Sequence, residues 1–480
     1  DAVHIYKSSN IQRFVDGTWS ANNLVDNVWG HYYEGIRAAN FYLKETAGLT
    51  FDEWKYSDDY EAIMKEFTNY QYEVRFLRAY FYFELIKRYR NIPFVLDVLA
   101  QNEANGVNPE SYEKIAKFIV DECSDLAQIL PVNYDNFSTK EKGRVTRAAA
   151  MALKSRVTLY MASPLFSEDS EDKWKQAAEA AYDIIKQKTD LGLDLVPYPQ
   201  IFNDVNNQKA EVILYRPTGE SGDFEKANFP IGVEGGKTST CPTQNLMEAY
   251  DMKDGTPFVW NNQSNPYDNR DPRMKYTIVC NEMKWPVDPV EIWEGGTNGL
   301  PLQNATTTGY YLKKYVNNTI SFEAGSTVTK KQHNWVLFRY GEILLNYAEA
   351  MINAFHDPNY KDAVYNMSAR EAVNQIRGRT NISLPGFPSD ITEKDFVKRL
   401  KNERRVELAF EGHRFWDVRR WKELGQTANI YGVKITKNNE VISYEKFLLE
   451  TRAVTDNMYF YPIPNTERFK NPNLGQNPGW

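Results

Sequence analysis

Apolar residues recur at helical spacing over much of the chain. In 20–46 the stripe is Leu24, Val28, Ile36, Ala39 and Leu43, which predicts a long amphipathic helix. A second predicted helix spans 61–90, with Arg75, Leu77, Ala79, Phe83 and Leu85 at packing intervals; Pro93 biases its neighbour out of the α region and stops it. Further helices are predicted over 109–130, ending before Pro131, over the small-residue run 144–163, ending at Pro164, and over 171–187. A short β-like run covers 211–215. From 216 to 308 helical periodicity fades, and Gly, Pro, Asn, Asp and Thr become dense. Helical spacing returns at 339–354, 369–380 and 391–424. A hairpin is predicted over 431–441 around Lys437-Asn438-Asn439, and a proline-punctuated tail closes the chain. The pattern predicts a mainly α protein of antiparallel helical hairpins, with an irregular region carrying short β-hairpins.

The stretch 391–424 carries the strongest charge pattern. Thr392, followed by Asp395, is a capping pattern, and Phe396, Leu400 and Leu408 form an apolar stripe. Glu403, Glu407 and Glu411 stand four apart, where like charges cost roughly 0.2–0.5 kcal/mol per pair. Cations must offset that cost. Arg404, Arg405, Arg414, Arg419 and Arg420 lie in the same stretch, and Arg339 is a candidate from elsewhere. We read a structural ion network, with Arg404 and Arg414 among its cations, because planar guanidinium groups suit carboxylates. Carboxylates saturated with arginine stay ionised, which argues against an acid/base pair. Glu411 and His413 are two apart and share no helix face, and no HExxH motif occurs, so no metal site is expected.

Composition narrows the field further. The chain has 480 residues and a net charge of −7, with both signs mixed throughout. No basic block or basic–aromatic stripe points to nucleic acid. Cys123, Cys241 and Cys280 fit no zinc spacing, and at most one bridge could form among them. No apolar run is long enough to span a bilayer, and no signal peptide is evident. The EGG stretches at 234–236 and 294–296 lack the strand–turn–helix setting of a phosphate loop and read as tight turns. The scattered histidines form no triad order, and no cofactor is implied.

The segment NERRVELAFEGHRFWDVRRWKEL closely resembles the C-terminal signature of the SusD/RagB family. YEVRFLRAYFYFELIKRY, CPTQNLMEAYDMKDGTPF, NRDPRMKYTIV, GYYLKKYV and FYPIPNTERFKNPNLGQNPGW resemble further family blocks, in order along the chain, as does the Ile-Arg-x-Ala-Asn run at 36–40. The family usually has a glycine where this chain has Arg90, which puts the turn after the second helix in question. The resemblance implies one SusD-like domain over 1–480. Its scaffold of tetratricopeptide-type hairpins lies mainly at 20–190 and 335–425, although no strict period of about 34 residues survives. The loop-rich ligand side is expected at about 210–330 plus 47–60, and an extended tail at 459–480. It also implies a non-catalytic outer-membrane lipoprotein that binds oligosaccharide at the cell surface and partners a SusC-like TonB-dependent transporter. The lipidated cysteine of such proteins is absent from this sequence, so anchoring is implied by resemblance alone.

A glycan offers apolar C–H faces and hydroxyls, which aromatic rings and amide, carboxylate or guanidinium groups on loops can meet. The expected platform residues are Trp285 and Trp293, then Trp260, Tyr267 and Trp54, with Tyr56, Asn261, Asn262, Asp288 and Asn298 nearby. The alternatives are a peptide or other nutrient receptor of the RagB type, a helical scaffold that binds only protein, and a glycoside hydrolase. The last would need facing carboxylates, for which Asp251, Asp254, Asp288 and Glu291 are the candidates.

Overall fold

The computed structural model describes all residues except 7–9, 140, 169, 263 and 324–328. The chain divides into two compact units, each assembled from separate segments. The first comprises 1–17, 194–419 and 423–454; the second comprises 18–193, 420–422 and 455–480.

The second unit is built on helices α1 (Trp29–Glu45), α2 (Tyr60–Tyr89), α3 (Tyr112–Ile129), α4 (Arg147–Ala162) and α5 (Glu171–Lys186). Successive hairpins pack through Phe76, Phe83, Ile115, Ile119, Ala149, Leu153, Ala178 and Ala181, all fully buried. Alanine-rich α4 and α5 let the backbones approach closely. Polar groups tie the bundle at its ends. Asn40 of α1 is buried, accepts from Arg78 of α2 at 2.9 Å and donates to the carbonyls of Val95 and Asp97. Glu84 pairs with Lys87 and Arg88, each at 2.6 Å.

Helix α1 starts later than its apolar stripe suggests. Residues 20–28 are rich in Asn and Asp, whose side chains compete for backbone hydrogen bonds. Here Asn23 and Ser20 close a local turn on each other, and the Asn23 amide donates to the carbonyl of Thr18. After α2, Arg90 adopts φ +66° and ψ −91°, so the chain turns through a positive-φ conformation other than the left-handed cap, without the usual glycine. The tail is less extended than expected, with a helical turn at Asn465–Lys470.

The first unit pairs short strands. β1 (Ala2–His4) is antiparallel to β3 (Thr240–Pro242), β2 (Val212–Pro217) to β4 (Asn334–Arg339), and β5 (Asn429–Asn438) to β6 (Val441–Thr451). The last pair turns at Asn439 and Glu440; Asn439 takes φ +54°, a conformation asparagine tolerates in tight hairpin turns. Helices α6 (Tyr340–Phe355), α7 (Ala369–Arg377) and α8 (Glu393–Glu407) pack on one another in this unit, with α9 (Arg414–Arg420) after them. The C-terminal helices thus belong with the loop-rich region.

That region has its own core. Leu246, Tyr250, Ile278, Tyr310, Tyr311, Val406 and Val433 form one buried cluster, and Tyr198, Ile201, Phe202, Tyr315, Val336 and Ile382 form a smaller one. The EGG stretches are tight turns: Gly235 and Gly295 have φ +75° and +87°, and a Cβ on Gly296 would meet the Glu291 carbonyl at 2.5 Å. All three cysteines are free and buried. Among the described residues, no helix is long and apolar enough to cross a membrane.

Candidate functional site

The site begins with the helix that the sequence made conspicuous. Thr392 caps α8, accepting from the Asp395 backbone N–H at 3.2 Å. Glu403 and Glu407 project from the last turns of α8, while Glu411 lies beyond its end, in a turn where Phe410 and Gly412 have positive φ. The three glutamates are buried and paired. Arg377 meets Glu403 at 2.7 Å, and Arg273 bonds both Glu403 and Glu407 as well as Asp271. Arg379 joins Glu407 to Glu211, at 2.7 and 2.6 Å. Arg339 reaches Glu211, Glu407 and Glu411. Burial by itself would raise these carboxyl pKa values, but the surrounding cations outweigh it and hold all three below the ordinary carboxylate range.

Arg404 and Arg414, grouped with the glutamates on sequence proximity, pair elsewhere. Arg404 bonds Asp417 at 2.9 Å and Asn346 at 2.8 Å, and Arg414 bonds Gln426. Side chains adjacent on a helix point to different faces, so the partners of Glu403 and Glu407 come from other elements. Of the arginines considered, Arg339 is a partner; Arg273, Arg377 and Arg379 carried no sequence signal beyond being arginines near apolar runs.

Lys314 connects this network to the surface. Its ammonium donates to Glu411 at 2.8 Å and to the Tyr198 hydroxyl at 3.0 Å. The bonds pin the segment 313–319, which lines an open groove of about 380 Å³ together with Phe202, Asn203, Asp204, Tyr276, Trp285 and Lys331. Phe202 and Tyr315 meet edge to face at 5.0 Å, and Trp335 packs behind Tyr315 at 4.9 Å. The aromatic wall is therefore the rim of the smaller core and is rigid for that reason. Polar groups edge it: Asp204 with Lys331 at 3.4 Å, and Asn317, which accepts from the Thr319 hydroxyl. The groove thus sets largely covered aromatic rings beside a lining that is mostly polar, with Asn203, Asn317, Asn318, Thr319 and Gln332 along it.

Of the expected platform residues, Trp285 lines the groove, although it is only 6% exposed. Trp293 and Trp260 are half-buried against the larger core, the former with Lys437 over its ring at 4.3 Å. Tyr267 is wedged edge-on between Tyr310 and Tyr444. Trp54 is 51% exposed in the second unit, stacked on Phe51, and Tyr56 beside it is 88% exposed. Aromatic residues in an irregular region still build that region's core, which sequence texture alone does not distinguish from a platform. Phe202, Tyr276, Lys313, Tyr315 and Asn317, which also line the groove, were not among the expected platform residues; the Lys313-Lys314 pair interrupting the apolar run 310–316 is the one local signal of that segment.

The carboxylates considered for hydrolysis are differently engaged. Asp251 pairs with Arg377 and Arg399, at 3.3 and 3.4 Å. Asp254 accepts from Thr256, Glu291 accepts from the Thr297 backbone N–H, and Asp288 is exposed. Among the described residues, no group of His, Cys, Asp and Glu is arranged to hold a metal ion.

Comparison with known proteins gives consistent results. A model of the SusD family matches residues 201–480, and a model described as starch-binding and associating with the outer membrane matches 1–159. A SusD-like protein of Formosa agariphila is 23% identical, over 96% of this chain and 81% of its own. A SusD-like protein of Bacteroides fragilis is 26% identical, with a TM-score of 0.79 over 98% of this chain and 89% of its own. A second from the same organism, a SusD-like carbohydrate-binding protein, is 25% identical, with a TM-score of 0.79 over 98% and 90%.

Proposed function

We propose, from the premise that this chain belongs to the SusD family, that it is a non-catalytic receptor which captures oligosaccharide at the cell surface and passes it to a SusC-like TonB-dependent transporter. The observation that carries the binding role is the groove between Phe202, Tyr276, Trp285 and Tyr315, edged by Asn203, Asp204, Asn317 and Lys331. The half-exposed ring of Tyr276 meets the C–H face of a sugar ring, the buried rings of Phe202, Trp285 and Tyr315 form the floor behind it, and the edge groups meet its hydroxyls. The carbohydrate-binding relative supports the saccharide class, and the family description supports association with the outer membrane. In this reading the protein is lipid-anchored on the extracellular face, and the transporter receives the ligand from the groove.

A receptor needs grip without bond cleavage. The arginine-saturated glutamates have the character of a frame: they keep the 313–319 segment in register and hold no proton to donate. Calorimetric titration against an oligosaccharide library, with product analysis of the same mixtures, tests the assignment. We expect binding without released sugars. Tyr276→Ala should weaken binding about fivefold to tenfold, the worth of roughly 1 kcal/mol of ring contact. Trp54→Ala should leave it unchanged. Turnover of any oligosaccharide would overturn the non-catalytic reading, and the reverse pattern in the two variants would move the site to the 47–60 loop.

A further inference from the structure

The charges along the groove do not balance, and the imbalance bears on the ligand. The acidic and basic residues lining it are Asp204, Lys313, Lys314, Lys331 and His333. Lys331 is matched by Asp204 at 3.4 Å and Lys314 by Glu411 at 2.8 Å, and the His333 ring sits 3.0 Å from Glu225. Lys313 is different. Its ammonium touches the Met283 sulfur at 3.5 Å and lies over the Trp285 ring at 4.9 Å. Among the described residues, no carboxylate comes within ion-pair distance of it. Burial, and then the neighbouring Lys275, depress its pKa. Lys275, exposed beside it, lies over Tyr276 at 5.3 Å and likewise has no carboxylate partner among the described residues.

Elsewhere in this unit buried cations are satisfied, by carboxylates around Glu407 and, for Arg270, by the carbonyls of Met247, Tyr250 and Pro266; among the described residues the Lys313 ammonium has only a sulfur and a ring face. A half-buried ammonium without a counter-charge is costly, and a ring face compensates only part of that cost. The chain as a whole is acidic, at −7, so this cationic wall runs against its average.

We infer that the saccharide taken by the groove is anionic, carrying uronate carboxylates or sulfate esters, and that Lys313, with Lys275 beside it, supplies the charge that meets them. The inference rests on the groove being a glycan site and specifies the class of glycan. Asn317 and Tyr276 would hold the ring, while Lys313, seated over Trp285, reads its acid group.

The test compares matched pairs of oligosaccharides: oligogalacturonate and oligoalginate against their carboxyl-reduced forms, and sulfated galactan fragments against their desulfated forms. Affinities are measured by calorimetry at low and high salt. We expect at least one acidic member to bind about tenfold or more tighter than its neutral partner, and to weaken as salt rises from about 0.05 to about 0.5 M. The carboxylate and sulfate arms separate the two anion types. Lys313→Met keeps the apolar stem and should erase the acid preference, whereas Lys313→Arg should retain it. Lys275→Met, at an exposed position, should reduce it in part and serves if the first variant folds poorly. Equal affinity for acidic and neutral partners, or an unchanged ratio in Lys313→Met, overturns the inference. Binding of neutral glycans alone leaves the receptor reading standing and removes this one; no binding of any saccharide removes both.

Discussion

At Glu407 three guanidinium groups converge on one side chain that is wholly removed from water: Arg273, Arg339 and Arg379. Neutralising that carboxylate leaves buried cations facing one another. Glu407→Gln is therefore expected to cost about 3–5 kcal/mol of stability, read by denaturant unfolding, because breaking a buried pair strands its partners. The same physics gives a pH dependence. Glu403, Glu407 and Glu411 titrate below the ordinary carboxylate value in the folded state. In the second unit, burial raises and then Lys87 and Arg88 lower the Glu84 pKa, for a net fall from 4.5 to about 2. A lowered folded-state value means the unfolded chain binds more protons as acid is added. These contributions are thus complete above about pH 5 and are lost as pH falls from 4.5 towards 2 and below. Lys87, whose burial outweighs the pull of Glu84, titrates near 8 and remains charged throughout that window. Unfolding midpoints measured from pH 7 to pH 3 should stay level and then drop; a midpoint rising on acidification would contradict the network. The glutamates were legible in the sequence because their spacing is costly without partners. Of their partners only Arg339 was, since Arg273, Arg377 and Arg379 reach them through tertiary contacts that no local pattern encodes.

At the scale of elements, periodicity located the helices well, because amphipathic stripes and proline stops are local facts. It failed where polar side chains bond their own backbone, as before Trp29, and it could not tell a core aromatic from a surface one in the irregular region. Trp285 and Tyr267 show that ambiguity, the former a core residue that also borders the groove and the latter packed between Tyr310 and Tyr444, while Trp293 is half-buried against the same core. The turn after α2 offers a sharper test. Arg90 holds φ +66° while its side chain is exposed. A sparsely populated positive-φ conformation of this kind costs a non-glycine residue roughly 1–3 kcal/mol, against the somewhat smaller entropic penalty of glycine. Arg90→Gly is expected to raise stability by up to about 1 kcal/mol, measured as a shift in the denaturation midpoint; an unchanged or lower midpoint would mean that the contact of Arg90 with Phe460 matters more than the strain.

For the whole molecule, the family blocks in order along the chain foretold the mainly helical architecture with small antiparallel sheets. The segmentation they could not foretell. The loop-rich region and the C-terminal helices share one unit because arginines from 273, 339, 377 and 379 must reach a single helix, α8, and that requirement appears only in three dimensions. The segmentation also bears on how the protein comes into being. β1 has no partner until β3, across the entire hairpin bundle in sequence, has been made, and residues 420–422 return to the bundle for three positions before the chain leaves again. Neither half exists as an uninterrupted stretch of gene. Splicing the groove onto another scaffold would need rejoined ends on both sides, and a chain emerging during synthesis must keep its early strand idle and shielded until the late partner is made.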